Sequence, residues 1–510
     1  MTLQPDIAQT EALIGSSQAL ARKFANDPDR PRYHFLPPSA WMNDINGAIF
    51  WRGRYHIFYQ HNPLGAYWHW MQWGHASSAN LVHWIHHPIA LTPTPDGPDR
   101  DGCFSGGAFV SQEGVPTFIY YGVPDGTCLA ASRDDLLILW TKHPANPVTP
   151  QPRASDPDFG RYTIHDPTAW LDGPTCYQIV NRRNPEGQGD AAYLFRSSDL
   201  TRWDYVGSFY QSQRHWTEAD EDCAVPDFFP LGDQHMLLFC SHLQATQYYL
   251  GRLKKERFHP RIHGRMSWPG GQLGGARTLL DGQDRRIFFD WVREVRVTDR
   301  QRASGWSGVM TLPRILWLAD DGTLGIEPVP ELNVLRMNER ACPDAQLSAN
   351  TEVTLDGVRG TCLELAWRMQ PQDATAFGVK VRCSPDGAEQ TAILCDTEAR
   401  SLSVDVSRST MDKTVVYPYY RNTKACDRLP ANQRHVKAQE APFALSPGEP
   451  LDLRIFLDHS ILEVYANRRQ CITQRIHPNR SDSTNVRLFA RDGRVNVSAI
   501  RAWDMAPAHE

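Results

Sequence analysis

The sequence predicts an all-β chain, a five-bladed β-propeller over residues 33–330 followed by a β-sandwich over 346–510. Three observations carry this prediction. Hairpin segments repeat around glycine turns at Gly53, Gly114, Gly173, Gly232 and Gly282, spaced 61, 59, 59 and 50 residues apart. A Ser…Leu…Trp element recurs in register at Ser78–Trp84, Ser132–Trp140 and Ser198–Trp203. Beyond residue 346, apolar and polar residues alternate, as in Cys362–Trp367 and Leu451–Phe456. A period of about 50–60 residues built from hairpins suits blades of about four strands, and a two-residue alternation suits strands with one buried face. A parallel α/β fold would need amphipathic helices between strands, and none is read there. A large sandwich would need the glycine spacing to be coincidental.

In chain order, residues 1–32 form an extension. Ile7, Ala8, Ala12, Leu13, Leu20, Ala21 and Phe24 recur at helical spacing over 7–25. That helix would pack on the body or on a second copy of the chain. The propeller segments run Asp44–Gln60, Ser105–Gly122, Asp166–Asn181, Asp227–Ser241 and Gly275–Trp291. Each has a small or acidic start, a short strand, a glycine turn and an apolar strand. Pro328, Pro330 and a polar stretch read as a linker over 331–345, and the sandwich completes the chain. In the sandwich, Glu463 reads as a strand-surface residue.

At 510 residues the chain exceeds one ordinary core, so two or more domains are expected. A formal net charge of -5 without a basic run argues against nucleic acid as a partner. No apolar run is long enough for a membrane helix, and the first residues lack a basic region followed by an apolar core. The 11 cysteines are odd in number and form no Cys-x-x-Cys pair. They read as reduced thiols, with a cytoplasmic location expected.

The propeller gives the acidic residues a meaning. Asp44, Asp166 and one carboxylate of the run before Asp227 all precede first strands, so they would converge at one mouth of the ring. Clustered carboxylates suit glycoside cleavage, where an acid and a nucleophile flank the bond, or a cation site. No His-Glu-x-x-His or Asp-x-Asp-x-Asp-Gly loop supports a metal, so no metal or cofactor is expected. Asn43 and Asn46 can donate to Asp44, offsetting the cost of burying its charge. Trp68, Trp70, Trp73, Phe104, Trp216 and Trp291 lie in or near the same loops, where several could stack on a sugar.

These motifs resemble glycoside hydrolase family 32, the invertases, inulinases and levanases. Trp41–Gly47 is similar to the family's Trp-Met-Asn-Asp-Pro-Asn-Gly, with Ile45 in place of Pro. Phe58–Pro63, Trp73–Ser77, Phe104–Ala108, His165–Pro167, Gly305–Arg314 and Leu453–Tyr465 match further blocks in order. The resemblance covers about residues 33–500. It implies a retaining β-fructofuranosidase acting on sucrose or short fructans through a covalent fructosyl intermediate. Asp44 would be the nucleophile, Asp166 the transition-state stabiliser and Glu221 the acid/base. Asn43, Gln60, Trp68, Trp73, Phe104, Ser105, His165 and Trp291 would line the substrate pocket. Two departures stand out. The family's Glu-Cys-Pro-Asp block is here Glu218-Ala-Asp-Glu221-Asp222-Cys223-Ala-Val-Pro226-Asp227, leaving four carboxylates for one role. His165 replaces an Arg, exchanging a permanent charged fork for a group that titrates near neutrality. A fructosyltransferase of the same family, a sugar-binding propeller without catalysis and an inverting arabinoside-cleaving propeller are the alternatives. Assembly into homo-oligomers is left open.

Overall fold

The computed structural model describes residues 26–181 and 187–508, together with Ala19, Arg22 and Phe24. The helix expected over 7–25 lies largely outside the described residues.

Five successive sheets make up the N-terminal part, with first strands Ala40–Trp51, Gly102–Val110, Thr168–Asp172, Ala224–Leu231 and Arg277–Leu280. Each first strand touches its neighbours in ring order, and the fifth returns to the first. Trp306–Ser307 then pairs in parallel with the start of Ala40–Trp51 and ties the last sheet to the first. All five repeat glycines fall in the hairpin between the first and second strands of their sheet. Four of them, Gly53, Gly114, Gly173 and Gly232, have the positive φ that explains why a glycine stands there. The Ser…Trp repeat is the turn between third and fourth strands. In the third sheet the turn serine is Ser197, whose Oγ accepts from the backbone N–H of Asp199 and Leu200, one residue before the position read from the sequence.

One irregularity recurs in every first strand. Met42 and Ile45 pair with His61 and Tyr59, so three steps on the first strand oppose two on its neighbour. The same mismatch occurs at Cys103/Gly106 and Ala224/Asp227. It follows also from the bonds of Asn181 N to His165 O and Gly274 N to Trp291 O, combined with the next paired residues. A β-bulge of this kind bends the strand and re-aims side chains. Repeated around the ring, it brings Asn43-Asp44, Phe104-Ser105, Asp166-Pro167, Val225-Pro226 and Gly275-Ala276 to the same level.

The C-terminal part is a sandwich of a seven-stranded and a six-stranded sheet, with Leu365, Phe377, Ile393, Ile455 and Leu488 among its buried residues. The expected linker is shorter than the sequence suggests. Pro330–Leu335 is a 3-10 turn, and Arg336–Ala341 is already a sandwich strand paired with Val495–Met505. Its polar side chains mark an edge, not a linker.

Glu463 corrects a second expectation. It is fully buried between the two domains, not on a strand surface. Its Oε1 lies 3.1 Å from Arg314 Nη2 and accepts from Leu312 N, while Tyr465 OH donates to Oε2. Burial pushes this carboxyl up, but Arg314, His34 and Tyr465 outweigh burial and hold it down to about 2. Beside it, Asp458 accepts from the backbone of Arg32, Tyr33 and His34 and from the His34 ring, clasping the start of the propeller to the sandwich. Breaking one partner of a buried pair leaves an uncompensated charge at a cost of about 3–5 kcal/mol. Glu463→Gln should therefore lower the urea midpoint by a corresponding amount, read by tryptophan fluorescence. An unchanged midpoint would show that the pair does not hold the domains together.

Candidate active site

The bulges converge on Arg277. This guanidinium is 2% exposed, and Nε donates to Gly106 O while Nη1 donates to Val225 O and Pro226 O. One side chain from the fifth sheet thus ties the second and fourth. Burial pushes Arg277 below its ordinary value, opposed by Asp227, Asp166 and Asp44. Asp227 belongs to the scaffold: its Oδ2 accepts from Thr278 N and Oγ1, both at 2.8 Å.

Asp44 sits at the first bulge, half-buried. Ser105 Oγ donates to its Oδ2 at 2.7 Å, from the matching bulge of the second sheet. Gly275 explains how a carboxylate fits there. Its φ is +93°, and a Cβ on it would collide with Asp44 Oδ1. Asp166 has φ +46°, an uncommon conformation for a residue other than glycine. Its Oδ2 accepts from Asn181 Nδ2 at 3.1 Å and Val225 N at 3.3 Å.

The acidic run does not behave as its residue lengths suggest. Counting back from Pro226-Asp227, the family's Glu would fall on Ala224, whose cross-strand partner is Cys240. Asp222 is two residues out and so on the same face of an extended chain. Continuing the register sets it opposite His242. Its two carboxylate oxygens accept from His242 N at 2.8 Å and bond His242 Nδ1 at 2.7 Å. Asp222 raises the His242 pKa, opposed by burial, and Asp166 acts on the same ring. Glu221 turns the other way. It is fully buried, accepting from Glu218 N at 2.8 Å and from Gln247 Nε2. Burial pushes its carboxyl up, the direction a proton donor needs, yet its side chain is enclosed by these partners. Glu218 is exposed and bound by Tyr420 OH and Gln244 Nε2. Asp220 pairs with Arg428 on the surface.

The remaining sequence candidates divide. Trp291 is 5% exposed, 5.9 Å from Trp41 between ring centres. Phe104 lies edge-on to Trp68, which is 55% exposed. His165 meets the edge of Tyr121 at 4.7 Å. Asn43 accepts from Trp41 Nε1, and Gln60 donates to Cys103 O. Trp73 is not a sugar platform. It is fully buried, packed on Phe118 and Phe58, with Nε1 donating to Phe104 O, so its role is to hold the second bulge. Trp70 is 42% exposed and donates to Arg100 O, and Trp216 stacks on His263.

Asp44 at its bulge is braced by a serine from the next sheet and shares the neighbourhood of Arg277 with Asp166, and paired carboxylates are the residue type that glycoside cleavage uses. The comparisons agree. The model of the glycosyl hydrolases family 32 N-terminal domain matches residues 34–328, and that of the family 32 C terminal matches 331–504. The chain belongs to glycoside hydrolase family 32. A family 32 relative from Escherichia coli, a sucrose-6-phosphate hydrolase, is 30% identical over 93% of this chain and 94% of its own. A fructan 6-exohydrolase of Beta vulgaris is 27% identical over 95% of this chain and 88% of its own. Among solved structures, fructan 1-exohydrolase IIa from Cichorium intybus is similar with a TM-score of 0.81 and 25% identity, covering 95% of this chain and 98% of that one. Membership makes the chain a glycoside hydrolase.

Arg277, His242 and Asp290 were not anticipated from the sequence. Asp290 is fully buried, with Oδ1 accepting from Trp291 N. Burial raises it to about 7 against the pull of Thr246 and Arg314. Its only sequence signal was its place before Trp291. A carboxyl raised on folding contributes stability below its unfolded pKa that is lost as pH rises through the folded value. Thermal stability should fall between about pH 4 and pH 7 from this group, and Asp290→Asn should flatten that fall. Parallel melting curves across this range for both proteins would refute the titration.

Proposed function

We propose that this chain is a retaining hydrolase releasing terminal β-D-fructofuranosyl residues from sucrose, its phosphate ester or short fructans. The relatives' names support the substrate class. The meeting of Asp44, Asp166 and Asp222 at one mouth supports the chemistry, and the Ser105–Asp44 hydrogen bond is the observation that carries it. The donor aims the Asp44 carboxylate. A carboxylate oxygen attacks the anomeric C2 while the C2–O bond to the leaving group breaks. The departing oxygen takes a proton from the general acid, leaving a fructosyl ester on Asp44. Water then attacks C2, gives its proton to the same group acting as base, and Asp44 leaves as a carboxylate. Asp166 faces the same centre and offsets the positive charge that develops on the ring.

For the acid/base role we favour Asp222, with His242 as the neighbour that shares its proton, over Glu221. Strand alternation supports this choice. Asp44→Asn should lower turnover by about 10⁴-fold or more with the fold retained. Asp222→Asn should cripple sucrose cleavage, spare a fructoside with an activated aryl leaving group and respond to azide with a β-fructosyl azide. Glu221→Gln should stay within a few-fold of wild type on both. The reverse pattern would return the role to Glu221. Incubation with sucrose, sucrose 6-phosphate, inulin, levan and kestose, with products identified, separates hydrolysis from fructosyl transfer.

All 11 cysteines are free. They support work in a reducing compartment, so added reductant should leave activity and melting temperature unchanged.

A further inference from the structure

Between the paired strands Ser401–Asp405 and Ala438–Pro442 the chain leaves the sandwich and returns. This excursion docks on the mouth of the propeller. Tyr420 OH donates to Glu218 Oε2 at 2.9 Å, Arg421 N to Leu243 O at 2.8 Å, and Arg293 Nη1 to Arg421 O at 2.6 Å. Arg428 pairs with Asp220 at 3.1 Å.

The Arg421 side chain enters the site itself. A Cβ on Gly274 would lie 2.6 Å from Arg421 Cζ, and one on the next residue, Gly275, would collide with Asp44 Oδ1. Two consecutive glycines therefore make room for the guanidinium and the carboxylate side by side. Arg421 also lies over the Trp291 ring, 5.4 Å from its centre. Its N–H groups are underused: Nη1 reaches the weak acceptor Cys240 Sγ at 3.1 Å, and among the described residues Nε is buried without a partner. Among the described residues it forms no ion pair within 4.0 Å. A guanidinium carries five donors, and a buried one left unspent costs free energy until an acceptor arrives.

We propose that Arg421, supplied by the sandwich domain, is a substrate-contacting residue whose unspent N–H groups bind hydroxyls of the fructosyl unit beside Asp44. The site is then built by both domains. This rests on the fructoside reading above. Burial opposes the charge on Arg421, but Cys240, Asp44, Asp290 and Asp222 keep it firmly protonated, so the fork donates at any working pH.

The test compares full-length Arg421→Gln, Arg421→Lys and Arg428→Ala with wild type, reading kcat, KM and the rise in melting temperature caused by free fructose. Arg421→Gln should lose about 10- to 100-fold in kcat/KM, the range expected for a charged hydrogen bond. It should also lose the stabilisation by fructose, and Arg421→Lys should recover part of both. Arg428→Ala removes only a surface tie of the same excursion and should match wild type. The proposal is overturned if Arg421→Gln keeps wild-type kcat/KM, or if Arg428→Ala is as damaging as Arg421→Gln. A fall in melting temperature without fructose, at unchanged kcat and KM, would mark Arg421 as structural. If wild type cleaves no fructoside, the fructoside reading falls and the fructose shift decides alone. Protection of wild type but not of Arg421→Gln then supports the contact, and protection of neither or of both refutes it.

Discussion

The buried Arg277 guanidinium is the interaction on which the site depends. Taking a cation out of water costs several kcal/mol unless hydrogen bonds and opposite charges offset it. Here the offset comes from three backbone carbonyls, of Gly106, Val225 and Pro226, and from Asp44, Asp166 and Asp227 nearby. Those carbonyls belong to bulged stretches of the second and fourth sheets. The bulge is therefore more than a local kink. It turns carbonyls inward to the cation and, at the same level, turns carboxylates toward the open mouth. Asp44 and Asp166, both only partly buried, act on this one cation from the first and third sheets.

What was legible in the sequence follows from range. Hairpins, glycine turns and strand alternation are set by neighbours, so the sheets could be read residue by residue. Asp44, Asp166 and Ser105 were legible because each sits inside a short motif at a strand start. For the acidic run one local fact matters, that two extra residues before the bulge change which face an acidic residue takes. Residue length suggested Glu221; strand alternation puts Asp222 toward the mouth and buries Glu221 against Gln247. Trp73 was misread for a related reason. It alternates inward, and its indole N–H serves the Phe104 carbonyl. Arg277 and Arg421 left no local trace, because an arginine's partners here are backbone carbonyls and residues far away in sequence.

The sandwich has two separate relations to the propeller. One is a buried ionic seam, where Glu463, Arg314, Asp458 and His34 fix the domains edge to edge. The other is the excursion before Ala438, which is polar, partly exposed and reaches the mouth. The first relation gives the second its precision. A guanidinium carried on a long excursion can be held beside Asp44 only if the body that carries it does not shift, and the buried ion pairs between the domains resist that shift.

Five carboxyl groups, those of Asp44, Asp166, Asp222, Asp227 and Asp290, act on two guanidinium groups, Arg277 and Arg421, and on the His242 ring. Acidic residues thus outnumber the arginines at the mouth. Asp290 relieves this, since burial holds it at about 7 and leaves it largely protonated in mildly acidic solution. His242 acts in the same sense, because Asp222 raises its affinity for a proton. Asp290 and His242 thus both hold a proton more tightly than their free side chains do.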